Sequence, residues 1–226
     1  MIKSFDLHDS FLRSLNMHLL VFNMREDVSK IWILVNNKIT CPKTLSNLEQ
    51  EILLSFNNTL FAFIITFVYA NELPAARGFL SNKLRSIALT LPWLMLGDFN
   101  TVLGSHKCLG GRAPNLSSGA DFANMIADNN LLKIITQGAP FSWARCFPRG
   151  YIECNLDRAL CNSSWMDFWA ITSCQTLLRY SSNHNPLPVS FNLDRLQGRS
   201  SFRLKSMWLE HETSKIMSRR SGILIL

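Results

Sequence analysis

The chain has 226 residues, of which 47% are hydrophobic and 17% charged, with 10 Gly and 8 Pro. That composition excludes a wholly disordered chain, a collagen-like repeat and a coiled coil, and the length suits one large domain that needs no disulfide staples. The net charge is +7, but a nearly neutral body precedes a basic tail: from Arg195 to Leu226, seven Lys/Arg and two Glu carry +5 of it. Such a tail reads first as a solvated end, and it can also hold a phosphate backbone.

The apolar runs Leu60–Ala70 and Pro92–Leu96 fall short of the roughly 20 residues that span a bilayer. Met1–Asp6 carries an early acid and no continuous apolar core, so no secretory signal is read there. The expectation is a soluble intracellular protein, with the nucleus open to it, that is neither secreted nor membrane-bound. The six cysteines form no C-x-x-C pair, which predicts buried reduced thiols rather than a metal cluster.

Along the chain, Ser10–Phe22 reads as a helix followed by a strand, with Phe11 and Leu15 and then His18 to Phe22. The charged turn Met24-Arg25-Glu26-Asp27 leads into a second strand, Ile31–Val35, without a hairpin signal between the two. Thr59–Tyr69 is rich in β-branched and aromatic residues and predicts a buried strand. Ala75–Leu89 follows, with Phe79, Leu80, Leu84, Ile87 and Ala88 at helical spacing. Pro92 stops that helix, and Trp93–Leu96 predicts a second buried strand ending at Gly97-Asp98. Strand, helix and strand in this order suggest an α/β protein with polar groups at its strand ends.

Ser118 or Asp121 is placed to cap a helix through Phe122, Met125, Ile126 and Leu131. Gly138-Ala139-Pro140 turns into the short strand Phe141–Trp143. Ile152–Leu156 and Thr172–Leu178 read as strands, and Asn162 as the start of a capped helix. After Asn192 the pattern becomes polar and basic. The domain is therefore set at residues 1–192, with a degenerate start at 1–29 and the tail 193–226 outside the core.

The sharpest local signal is Gly97-Asp98-Phe99-Asn100. Residues two apart at a strand end point the same way, so Asp98 can activate a water while Asn100 hydrogen-bonds a phosphoryl oxygen. An isolated Asp-x-Asn is ordinarily turn chemistry. Here further motifs accompany it: Ile65-Thr66-Phe67-Val68-Tyr69-Ala70, Pro140-Phe141-Ser142-Trp143, Asn155-Leu156-Asp157-Arg158-Ala159-Leu160 and Ser182-Asn183-His184-Asn185-Pro186-Leu187. Together, and in this order, they resemble the endonuclease/exonuclease/phosphatase superfamily, to which pancreatic deoxyribonuclease belongs. Leu109-Gly110-Gly111-Arg112, Arg158–Asn162 with Trp165, and Phe202-Arg203 with Met207–His211 are similar to plant LINE-type (non-LTR) retrotransposon polyproteins. In those, this domain precedes a reverse transcriptase, which is expected to be absent from this chain.

The resemblance implies an α/β (α+β) four-layer sandwich of two mixed β-sheets flanked by helices, deoxyribonuclease-like, with an incomplete N-terminal part. It implies a phosphodiesterase that uses Mg²⁺ or Mn²⁺ on DNA or RNA. By the same resemblance, Asp98 would align or activate the attacking water, and Asn100 would bind the phosphate. Tyr69 would hydrogen-bond the phosphate or leaving group, and His184, oriented by Asp157, would stabilise phosphoryl charge. Two departures weaken the metal site. Met24 stands where the family's metal-binding Glu is expected, with Glu26 two residues away as a surrogate ligand. Asn183 replaces an Asp, keeping its shape but losing its charge. The resulting expectation is a degenerate endonuclease domain whose catalysis is weak or lost. The alternatives are a residual Mg²⁺-dependent nuclease or phosphoesterase that relies on Glu26, and a non-catalytic nucleic-acid binder.

Overall fold

The computed structural model describes residues 9–24, 27–57, 61–85, 87, 90–111, 114–148, 150–169 and 171–192. Its first elements are α1 (Asp9–Ser14), β1 (Met17–Phe22), β2 (Trp32–Asn36), β3 (Lys43–Leu48), β4 (Glu51–Asn57) and β5 (Ala62–Tyr69). Next come α2 (Pro74–Arg85), β6 (Trp93–Asp98), β7 (Cys108–Leu109), α3 (Leu116–Asp128), β8 (Leu132–Lys133) and β9 (Thr136–Gly138). The last are β10 (Trp143–Phe147), β11 (Gly150–Cys154), β12 (Asp157–Cys161), α4 (Ser163–Phe168), β13 (Ile171–Thr176) and β14 (Val189–Asn192).

The centre is a six-stranded mixed sheet in the order β3-β4-β5-β6-β12-β8. β5 and β6 run parallel, and β4 and β12 flank them antiparallel. Both strands read as unbroken apolar runs because both of their faces are covered. On one face Leu53, Ile64, Val68, Met95 and Leu160 pack against Leu80 and Leu84 of α2 and Phe122 and Met125 of α3. On the other face Ile65, Leu94, Ala159 and Cys161 meet Trp165 of α4, Trp169 and Cys174 of β13, with Phe191 of β14 beside them. Further along that face, Ile52 and Leu54 pack on Ile31, Ile33 and Val35. Each such side chain removed from water contributes about 1.5–3 kcal/mol.

The expected second sheet is present in separate pieces. β1-β2 forms one, β14-β13-β9 another, and Phe56 and Phe67 of the large sheet touch the clusters beneath both. A further three-stranded sheet runs β10-β11-β7. Mixed sheets with helices packed outside them match the sandwich architecture expected from sequence. The β1–β2 pairing, which had no turn signal, is closed by a side chain. Asn23, 1% exposed, accepts from the amides of Lys30 and Ile31 and donates to the carbonyls of Leu48 and Glu49.

Two sequence expectations need correction, and a third group lies beyond test. Asn115, not Ser118 or Asp121, caps α3, its Oδ1 accepting from the amides of Ser117 and Ser118. Ser118 lies inside the helix, where its hydroxyl meets Arg77 and Thr101. The cysteines are not all buried thiols: Cys108 and Cys154, register partners of β7 and β11, form a disulfide, and Cys41 and Cys146 are exposed. Glu26, Arg112 and the whole basic tail, Phe202-Arg203 and Met207–His211 included, lie outside the described residues. Among the described residues no helix is long and apolar enough to cross a membrane.

Gly97 controls how closely β5 and β6 approach. Its φ is +136°, a region L side chains avoid, and a Cβ there would overlap the Val68 carbonyl oxygen. Gly97→Ala should therefore lower the unfolding free energy by roughly 2–4 kcal/mol in a urea titration. A loss below about 1 kcal/mol, within the range of neutral surface changes doubled, would show that the ladder yields there.

Candidate active site

Strand register builds the site's rim. Tyr69 is the register partner of Asp98 across β5–β6, and Asp98 is that of Asp157 across β6–β12. Register partners share a face, so the three stand in one row, about 4.8 Å from strand to strand. The chain then turns through Asn100 in the left-handed region, at φ +47°, which Asn tolerates better than most residues. The Asn100 amide donates to Asp98 Oδ1 at 2.8 Å, and its Nδ2 donates to the Ala70 carbonyl at 2.8 Å. These bonds tie the turn after β6 to the turn after β5. The Asn100 side-chain oxygen and second N–H can still serve a ligand.

His184 arrives from the loop between β13 and β14. It is held against the start of β10 by a bridge to Trp143, by the Asn185 amide donating to Ser142 O, and by the Ala144 amide donating to Asn183 O. Its Nδ1 lies 3.0 Å from Asp157 Oδ2 and its Nε2 3.9 Å from Asp98 Oδ2. The structure thus brings Tyr69, Asp98, Asn100, Asp157 and His184 to one rim. It leaves Asn183 with an exposed side chain and Met24 44% exposed, its sulfur accepting from Ser29.

Two supporting residues were not singled out from sequence. Ser142, 1% exposed, accepts at Oγ from the amides of both Leu156 and Asp157, and so sets the start of β12. Arg158, also 1% exposed, donates to the carbonyls of Asn155 and Leu156 and lies over the Phe122 ring at 5.1 Å. Both lie inside motifs quoted above, but nothing local in the sequence distinguishes a strand clamp from a surface polar residue.

Burial, reinforced by the neighbouring Asp157 charge, pushes the Asp98 carboxyl up to about 6, against the pull of the Asn100 amide, His184 and Arg158. Burial alone would lower the His184 pKa, but the hydrogen bond and charge of Asp157, aided by Asp98, outweigh it and the net direction is upward. Arg158 is brought down to about 10 by burial, with Asp157 and Asp98 opposing.

Asp98, Asp157 and His184 offer ligand atoms within 4.8 Å of one another, a cluster that could hold a divalent ion. It is a poor match to Mg²⁺. The imidazole is turned into the cluster and bonded to Asp157, whereas Mg²⁺ takes oxygen ligands in near-ideal octahedral geometry. Asn183 is uncharged and exposed, and the Met24 thioether is too soft a donor.

Asp98 carries a stability signature. Folded, it keeps its proton to about pH 6, against 3.8 for an ordinary aspartate in the unfolded chain. The folded state binds this proton more tightly, so the stabilisation is complete below about pH 4 and is lost as the pH rises through 6. That shift corresponds to roughly 3 kcal/mol. Asp98→Asn keeps the acceptor and never ionises, so it should raise the unfolding free energy at pH 7 by about 2–3 kcal/mol and change it little at pH 4. Urea titrations at the two pH values check this, and an equal effect at both would refute it.

No protein-family model matches the chain, and no curated protein matches it. Among solved structures, the endonuclease domain of TRAS1, a telomere-specific non-LTR retrotransposon, aligns over 81% of this chain and 82% of its own, at 15% identity and TM-score 0.59. An endonuclease/exonuclease/phosphatase family protein from Leptotrichia buccalis aligns over 78% of this chain and 71% of its own, at 11% identity and TM-score 0.49. The human Nocturnin catalytic domain aligns over 83% and 77%, at 17% identity and TM-score 0.47. Only the first of these likenesses is close enough to carry an argument, and at this identity it speaks to architecture alone. With the row of strand ends described above, it establishes that the chain has the deoxyribonuclease-like sandwich fold of that endonuclease domain.

Proposed function

We propose that this chain is a degenerate endonuclease domain of the LINE (non-LTR) retrotransposon kind, one that holds a nucleic-acid phosphodiester at the Asp98 rim but hydrolyses it weakly or not at all. The observation that carries this reading is a divided site. The phosphate-handling groups Tyr69, Asn100 and His184 converge beside Asp98 and Asp157, while no further carboxylate joins them from Met24 or Asn183. The structural likeness to a non-LTR retrotransposon endonuclease supports the lineage, and the substrate class follows as DNA, with RNA as the alternative.

In this reading each group has a definite task. Asn100 Nδ2 donates to a nonbridging oxygen of the phosphate at the Asp98 rim. Asp157 accepts from His184 Nδ1, which leaves Nε2–H to face the phosphoryl group and stabilise the charge that grows there. Asp98, ionised above about pH 6, accepts a proton from an attacking water. The weakness lies in charge: a dianionic transition state beside two carboxylates has one imidazolium to offset it, which is little against the several kcal/mol such electrostatic terms normally supply. The intact Asp157–His184–Asp98 geometry favours a second reading, a residual hydrolase.

Incubation of the full chain with supercoiled plasmid in millimolar Mg²⁺ or Mn²⁺ distinguishes the two. Nicking should not exceed that of Asp98→Ala, and Asn183→Asp should not rescue it. Wild-type nicking that Asp98→Ala abolishes would establish the residual hydrolase instead. The same Mg²⁺ should shift the thermal midpoint by less than about 1 °C, because an ion bound far above its Kd would stabilise by a few kcal/mol.

A further inference from the structure

A cation stands at the end of the catalytic row that the functional reading leaves unused. Lys30 follows the connector after β1, and its Nζ lies 5.9 Å from the centre of the Tyr69 ring, within the range of an ammonium–aromatic contact. The placement is built from below. The buried Asn23 side chain holds the amides of Lys30 and Ile31 on one side and the carbonyls of Leu48 and Glu49 on the other. Next along that turn, the Gln50 carbonyl accepts from the Tyr69 amide, which fixes the base of Lys30 to the strand end that carries Tyr69. Lys30 makes no ion pair among the described residues. The charges that set the Asp98 carboxyl, Asp157, His184 and Arg158, come from the other side of the row.

The row therefore runs from a cation over Tyr69, through Asp98, to the Asp157–His184 pair. Its two ends lie on the order of two strand spacings, roughly 10 Å, apart. We propose that Lys30 and Tyr69 form a second phosphate subsite, which takes the oxyanion of a backbone phosphodiester adjacent to the one held at Asn100 and His184. Ammonium and phenol hydroxyl are suited to a nonbridging oxygen, and the contact reads the backbone without reading sequence. The subsite rests on the nucleic-acid reading above and adds to it the direction in which the strand crosses the rim.

The test uses the full chain, a fluorescein-labelled DNA oligonucleotide and fluorescence anisotropy in EDTA, with the dissociation constant followed across a salt series. Wild type should bind with a linear dependence of log K on log salt. Lys30→Gln should reduce that slope by about 0.7–0.9, the value of one lost phosphate contact. Lys30→Arg should keep the wild-type slope, as should Lys43→Gln, which removes an exposed charge from the outer strand β3. An unchanged slope in Lys30→Gln, or an equal fall in Lys43→Gln, would overturn the subsite while leaving nucleic-acid binding standing. Absence of wild-type binding at low salt would overturn both.

Discussion

Two carboxylates face each other across the β6–β12 ladder, and the rest of the molecule is arranged around their repulsion. Like charges opposite one another in a sheet are destabilising, and Asp98, at 5% exposure, has little water to soften the cost. Compensation comes from both sides of the sheet. On the rim His184 lies between the two acids. One residue further along the ladder, Arg158, register partner of Gly97, turns to the opposite face and places its guanidinium among the helices.

Burying an arginine costs several kcal/mol unless its donors are met. Here they are met by the carbonyls of Asn155 and Leu156, and the planar group lies on Phe122. Local backbone, a helix and two acids thus depend on one side chain. The same face carries a second polar link, Arg77 with Ser118 and Thr101, which joins α2 to α3. The candidate site is consequently supported by the helix layer even though no helix contributes a residue to the row.

Much of this was legible in sequence. The buried strands β5 and β6 followed from their apolar runs, but strand alternation stops at Asp98, and Asn100 joins it through a left-handed turn closed by its own amide on Asp98 Oδ1. The partnership of Asp157 and His184 was accessible through resemblance alone, because their separation in sequence gives no local signal. The β3–β4 hairpin escaped notice since Lys43–Leu48 is an outer strand with five of six residues exposed, so it lacks the periodicity that marks a half-buried strand. The cap of α3 was misplaced because three capping residue types, Asn115, Ser118 and Asp121, crowd one stretch, and only the backbone angles at Asn115 decide among them. Asn23 reads as an ordinary turn residue until its four partners are seen in space.

The division of the second layer bears on how the molecule breathes. β1 shares a hydrogen-bond ladder with β2, whereas β13 and β14 share theirs with each other and with β9. Neither piece is ladder-bonded to the other, so opening the N-terminal hairpin breaks its packing on Ile52 and Leu54 without unzipping the strands that carry Asp98 and Asp157. Amide hydrogen exchange would then report two tiers of protection. The backbone of Met17–Phe22 would exchange through local opening, and that of Trp93–Asp98 only through loss of the whole central sheet. Lys30 belongs to the first tier and the acid pair to the second, so one end of the row of candidate site residues can loosen while the other stays fixed.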